Sequence, residues 1–106
     1  MPKSQEEEVR DMPKYMAIHT FPSPTPLTQA EPVAKAAKVL STADTYWVGS
    51  WNQLDEKGDA LRIICEWDAK DVESLRKTFV ELLKQIPGLP IDGPYAMSKV
   101  DGESYR

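Results

Sequence analysis

The stretch Ala60–Gly88, ALRIICEWDAKDVESLRKTFVELLKQIPG, decides the fold because it joins a strand to the clearest helix of the chain. Its first part, Ala60–Trp67, is rich in large apolar and β-branched side chains, which predicts a strand. Asp68 or Asp71 can then cap a helix whose apolar residues recur at spacings of three and four. These apolar residues are Val72, Leu75, Phe79, Leu82 and Ile86. Pro87-Gly88 ends the helix.

Two further strands precede this stretch. Residues Thr45–Leu54 are rich in aromatic and β-branched side chains, and the turn Asp55–Asp59 joins them to the next strand as a hairpin. Earlier in the chain, Tyr15–Phe21 predicts a first strand. The run Phe21–Pro26 predicts a loop, because its three prolines at alternate positions lack the N–H groups that a sheet uses.

A helix and a last strand complete the set of elements. Thr28 and Glu31 form a capping-box pattern, whereas Pro32 favours a start at its own position, so both starts stay open. The apolar residues of this helix are Val33, Ala36, Ala37 and Leu40. Near the end of the chain, Tyr95–Val100 predicts a short strand.

The order of elements is therefore strand–helix–strand–strand–helix–strand, the split βαβ arrangement of ferredoxin-like domains. Right-handed crossovers place both helices on one face of a four-stranded antiparallel sheet, which is an α+β fold. We expect one domain over residues 15–101, a solvated N-terminal extension over 1–14 and a C-terminal tail over 102–106. The extension carries the acidic run Glu6-Glu7-Glu8. The uncovered sheet face must meet solvent, a ligand or a partner, so function is expected there.

The composition is that of an ordinary globular domain and excludes several classes of protein. The chain has 106 residues and a formal net charge of −4, and its 41% hydrophobic and 28% charged residues argue against disorder. Scattered basic residues and the acidic balance disfavour nucleic acid as a partner. No apolar run is long enough to cross a membrane, and the acidic start is unlike a secretory signal. With a single cysteine, Cys65, which excludes an intrachain disulfide, we expect a cytoplasmic protein.

Alternation along the strands predicts a shared functional surface. If the strand registers align, His19, Trp51 and Cys65 meet on the open sheet face. A sheet face this aromatic would not stay exposed in a monomer, so we expect a homodimer that closes a pocket between two sheets. The predicted ligand-binding residues are His19, Trp47, Trp51, Cys65 and Trp67.

Each of these residues also has a simpler interpretation. His19 is the natural general base or metal ligand, yet a lone histidine is about as often a buried side chain bonded to a neighbour. Cys65 is more often a small buried apolar residue than a nucleophile, and tryptophans pack in cores as readily as they stack on ligands. The sequence contains no nucleophile elbow, no glycine-rich phosphate loop and no dinucleotide fingerprint.

Four short motifs carry a family resemblance: His19 in the first strand, Trp47–Trp51 in the second, Cys65–Ala69 in the third, and the turn Gly88–Pro90. With them, most of the chain resembles a small bacterial family of uncharacterised and nickel-binding ferredoxin-like proteins, within the wider family of dimeric α/β barrels. The resemblance implies His19 as a ligand for nickel or another divalent transition metal. Gly49 stands where that family has a second histidine, which implies weaker nickel binding or none.

The sequence therefore leads to three alternative functions. The first is a homodimer that binds a small ligand or a metal ion in a pocket on the open sheet face. The second is a cofactor-independent monooxygenase or a cyclase-like enzyme that uses His19 as a base. The third is a structural dimer in which the aromatic face is entirely interface.

Overall fold

A single four-stranded antiparallel sheet organises the protein. The computed structural model describes residues 12–106. Within them the strands are β1 (Lys14–Thr25), β2 (Thr45–Leu54), β3 (Ala60–Ala69) and β4 (Asp92–Met97), and the helices are α1 (Leu27–Leu40) and α2 (Val72–Gln85). The strand order is β2-β3-β1-β4, with every neighbouring pair antiparallel. The predicted α+β ferredoxin-like fold is confirmed.

The two helices cover one face of this sheet. Along β1, Tyr15, Ala17 and His19 are buried, whereas the alternating Met16 and Ile18 are only partly buried. Because neighbouring residues of a strand point to opposite faces, this pattern identifies the face that carries the helices. The core between helices and sheet includes an edge-to-face contact of Trp67 with Phe79, with ring centroids 5.7 Å apart. We call the two sides the helix-covered face and the open face.

The first strand is longer than the sequence predicted. It runs through Pro22 and Pro24, which we expected to lie in a loop. The prolines are tolerated because the regular ladder has ended: pairing with β4 stops at Ile18, and pairing with β3 stops at Thr20 and returns only at Thr25. The backbone there stays extended, which suits the fixed φ of proline, although it makes few ladder hydrogen bonds.

The helices differ in how they begin. Asp71 caps α2, since its side chain accepts a hydrogen bond from the Ser74 N–H at 2.7 Å, and this cap was one of the two predicted. Helix α1 begins at Leu27, before both predicted starts, and it has no side-chain cap. Pro32 therefore lies inside α1, where its ring nitrogen cannot bond to the carbonyl of Thr28.

The elements near the ends of the described chain differ in their bounds from the predicted ones. Most of the predicted extension, residues 1–11, lies outside the described residues, and β1 already begins at Lys14. The last strand, predicted as Tyr95–Val100, lies earlier at Asp92–Met97. A short 3-10 helix at Gly102–Tyr105 follows in the predicted tail. Among residues 12–106, no helix is long and apolar enough to cross a membrane.

Candidate functional site

Four of the five predicted ligand-binding residues lie on the helix-covered face. Register places them in three rows across the strands β2, β3 and β1. The rows are Trp47–Trp67–Tyr15, Ser50–Cys65–Ala17 and Asn52–Ile63–His19. His19, Cys65 and Trp67 are each about 1% exposed. The expectation that they form an open-face pocket is therefore wrong, because the helices pack on the side to which these side chains point.

Trp51 is the exception, and it is 73% exposed on the open face. We expected Trp47 and Trp51 on one face because they are four residues apart. The pairing shifts between Trp47 and Gly49, so that Val48 is an extra residue in β2. Such a bulge reverses the alternation beyond it, and Trp47 and Trp51 therefore face opposite sides of the sheet.

A cavity of about 390 Å³, open to solvent on one side, lies between α1 and the β2–β3 side of the sheet. Trp47, Ser50, Asn52 and Ile63 form its sheet wall. Its helix wall consists of Leu27, Thr28, Ala30, Glu31 and Ala34. The mixture of apolar walls with a few hydroxyl, amide and carboxylate groups is typical of small-molecule sites, whose volumes are on the order of 300–1,000 Å³.

A chain of hydrogen bonds joins the cavity wall to the buried thiol. The Trp47 Nε1–H donates to Ser50 Oγ at 3.0 Å, and Ser50 Oγ lies 3.0 Å from Cys65 Sγ. Burial raises the pKa of the Cys65 thiol, and the hydrogen bonds with Ser50 and Trp47 offset this only in part. Cys65 therefore stays protonated near neutral pH, which makes it a weak nucleophile.

His19 is held in one orientation by the segment that follows α2. Its Nδ1 lies 2.8 Å from the carbonyl oxygen of Pro90, so Nδ1 carries the proton and donates it to that oxygen. Burial lowers the pKa of His19, and the bond to Pro90 opposes this only partly, so the ring is neutral at pH 7. Nε2 then has a free lone pair and no partner among the described residues.

The position of His19 also separates it from the cavity. In its row across the sheet, Ile63 lies between His19 and Asn52, and Ile63 and Asn52 both line the cavity wall. His19 itself does not line the cavity. The same face holds a second buried atom without a partner in residues 12–106, Trp67 Nε1.

The described residues do not assemble a metal centre around His19. Residues 12–106 contain no group of three or more His, Cys, Asp or Glu side chains that could hold a metal ion. Gly49, where the resemblance leads one to expect a second histidine, lies opposite Glu66 on the open face, while His19 faces the helices. A histidine at position 49 would therefore point away from His19.

The open face combines apolar side chains with a small ionic cluster. Lys14 Nζ lies 2.8 Å from Asp68 Oδ1 and also pairs with Glu66. Burial lowers the pKa of Lys14, but hydrogen bonds to Asp68 and Glu66 outweigh it and leave the pKa raised. The exposed large side chains that share this face are Tyr46, Trp51, Tyr95 and Met97.

Sequence reasoning missed the polar half of the cavity. Ser50 and Asn52 share a face, as residues two apart in a strand should. Counting from Trp47 without the bulge, however, assigns both of them to the face opposite the cavity. A usable signal existed in β3, where Arg62 and Glu66 alternate with Ile63, Cys65 and Trp67. Charged residues on one side of a strand indicate the solvent side, so His19 and Cys65 belonged under the helices.

Comparisons of the chain with protein-family models, with curated proteins and with solved structures give no match. Function has therefore to be inferred from the geometry of the molecule.

Proposed function

We propose that the protein is a homodimeric small-ligand-binding protein. The ligand site is the cavity between α1 and the sheet, which contains the predicted residue Trp47, and the open faces of two copies form the dimer. The observation that supports this proposal is the 390 Å³ cavity, which has apolar walls and polar groups at Thr28, Ser50 and Asn52. The single free cysteine and the acidic composition favour the cytoplasm as its compartment.

Two features of the cavity favour a molecule with a planar apolar part. Trp47 is half-buried and fixed through its Nε1–H, so a flat indole forms part of the wall. Ser50 and Asn52 are exposed and offer a hydroxyl and an amide in the same cavity. A ring with a short polar arm, such as 2-phenylethanol, matches both the apolar and the polar groups.

Filling the cavity should abolish this binding. Ala34 lines the cavity from α1, and an Ala34→Phe side chain would occupy the space of the ligand ring. We expect 2-phenylethanol to shift the indole N–H NMR signal of Trp47, which the Trp47→Phe variant assigns. Ala34→Phe should weaken this binding about tenfold or more, because bound ligands need most of their surface buried.

Gln29→Phe provides the matched control, since Gln29 is an exposed residue of the same helix outside the cavity lining. It should bind 2-phenylethanol as the parent does. Equal binding by Ala34→Phe and Gln29→Phe, or no shift of the Trp47 signal in the parent, would contradict the proposed site.

The open face supports the dimer. Trp51 extends into solvent there, with Tyr46, Tyr95 and Met97 also exposed around the partly buried Met16, Ile18 and Ile64. Contiguous apolar surface of this kind on a small protein marks an interaction site. We propose a second copy as the occupant, because packing two sheets against each other would cover the open face of each copy. Burial of that apolar surface contributes about 25 cal/mol per Å².

Placing a charge on this face should separate the protomers. We expect a dimer mass in sedimentation velocity at micromolar concentration, and a monomer for Trp51→Glu, because a carboxylate buried in an apolar interface has no partner. Val39→Glu is the control, since Val39 is 76% exposed on α1, on the other side of the molecule. A monomeric parent, or a dimeric Trp51→Glu, would refute the interface.

A cofactor-independent enzyme of the monooxygenase or cyclase kind is the second candidate. The observation that favours it is the free lone pair on His19 Nε2, which a general base requires. We place it second because Ile63 lies between His19 and the cavity. A metal ion at His19, as the nickel-binding resemblance implies, would need this same Nε2 and further ligands.

A further inference from the structure

The cavity carries a net negative charge. Its lining within residues 12–106 includes one charged side chain, that of Glu31, and the remaining polar groups are the neutral Thr28, Ser50 and Asn52. An anionic ligand would therefore meet a carboxylate and no opposing cation in the wall. A cationic ligand would gain a charge partner there.

The charge of Glu31 is only weakly compensated by its surroundings. Lys35 Nζ lies 3.5 Å from Glu31 Oε1, but both side chains are more than half exposed, and such pairs are weak and screened. Lys35 itself lines a separate groove between α1 and the end of α2. The first turn of α1 adds a positive partial charge of about +0.5 at the cavity, which is smaller than the full charge of the carboxylate.

Trp47 provides a second, independent preference for a cation. Its Nε1–H is already donated to Ser50, so what the indole can still offer a ligand is its π system. The π face of tryptophan is negative and attracts ammonium groups more strongly than any other aromatic side chain does. Carboxylate and indole therefore select the same sign of charge from two walls of one cavity, α1 and β2.

We propose that this cavity selects small organic ammonium ions with an apolar body over neutral molecules of the same shape, and rejects the corresponding carboxylates. The inference rests on the proposed ligand-binding function and adds the chemical class of the ligand. Glu31 pairs with the ammonium group, Trp47 contributes cation–π attraction, and Leu27 and Ile63 contact the apolar body.

Three probes with one phenyl ring and different charges test the class of ligand. They are 2-phenylethylammonium, 2-phenylethanol and phenylacetate, titrated at equal ionic strength into the full-length protein while the Trp47 indole N–H signal is followed by NMR. We expect the ammonium ion to bind about tenfold more tightly than the alcohol, as a cation–π contact and an exposed charge pair together allow. Phenylacetate should bind most weakly. The signals of Trp51 and Trp67, which lie outside the cavity, should not move with the same affinity.

Two variants assign the preference to Glu31. Glu31→Gln keeps the size of the side chain and should reduce the advantage of the ammonium ion over the alcohol to about threefold or less, because cation–π attraction alone remains. Glu81→Gln removes the same charge from an exposed site on α2, paired with Lys84, and should leave the advantage unchanged. Equal losses in both variants would mean a general charge effect and would overturn the proposal.

The outcomes separate this inference from the function on which it rests. If all three probes shift the Trp47 signal with equal affinity, the cavity binds ligands and the charge selection is refuted. The tightest binding by phenylacetate would refute it as well. If none of the probes shifts the signal, the proposed ligand-binding function fails, and the inference fails with it.

Discussion

His19 combines two properties that make its charge costly in the folded protein: nearly complete burial and a single hydrogen bond. The neutral ring donates from Nδ1 to Pro90, and its Nε2 lone pair lies in the core. Protonation would place a charge and an extra N–H there, and the described residues offer no acceptor for it. Burial is the first cause of the lowered pKa, because the charged ring loses its hydration in the core.

The lowered pKa of His19 makes the free energy of unfolding depend on pH. The folded-state pKa lies below the ordinary value of 6.5, so the unfolded chain takes up a proton first as the pH falls. The contribution is complete above pH 6.5 and is lost below it, by at most about 1.4 kcal/mol per pH unit for one proton. Urea unfolding between pH 7.5 and pH 5 should show this decline.

His19→Asn is the control for the same pH range. The Asn amide nitrogen is bonded to Cγ, as Nδ1 is, so it can donate to the carbonyl of Pro90 without titrating, and the chain has no other histidine. Its unfolding free energy should change less with pH than that of the parent. Parallel pH profiles for the two proteins would show that the imidazole is not the group responsible.

At the scale of the elements, Pro32 is the clearest departure from an ideal helix. It lies in the second turn of α1, is exposed, and removes the bond to the carbonyl of Thr28. Pro32→Ala restores that N–H and should stabilise the protein by about 1 kcal/mol or more, even after the greater freedom of the unfolded chain is counted. Chemical denaturation of the two proteins measures the difference.

Pro22→Ala serves as the comparison, because Pro22 lies in β1 where regular pairing has ended. We expect a change within about 0.5 kcal/mol there, as for ordinary surface substitutions. A destabilised Pro32→Ala would mean that the rigid proline, and not the missing hydrogen bond, controls the stability of α1.

The elements with strong periodicity could be predicted from the sequence, and those set by long-range pairing could not. The apolar stripe and the Asp71 cap define α2, and the composition of Thr45–Leu54 gives β2 with its observed bounds. Nothing local to Val48 shows that it is an extra residue, because a bulge depends on what the partner strand does. That one residue places Trp51 on the open face, while Trp47 lies on the helix-covered face and lines the cavity.

At the scale of the whole molecule, the proposed ligand binding and the proposed dimerisation use opposite sides of the sheet. The cavity lies under α1, whereas the proposed dimer surface is the open face that carries Trp51. The sheet itself separates the cavity from the proposed dimer surface, so a substitution in one does not contact the other. The candidate site could be predicted only in part: of the five residues predicted from the sequence, Trp47 alone lines the cavity, because the bulge at Val48 changes the face on which Ser50 and Asn52 lie.

Pro22 and Pro24 also have a consequence for how the molecule behaves in a crowded solution. They are two residues apart in an extended strand, so the N–H groups that they lack would both have pointed to the same edge. Between Thr20 and Thr25 neither β3 nor β4 pairs regularly with β1, so both edges of this segment could offer a template for a strand from another molecule. On the edge that lacks the two donors an added strand cannot form a regular ladder, and this limits edge-to-edge aggregation there.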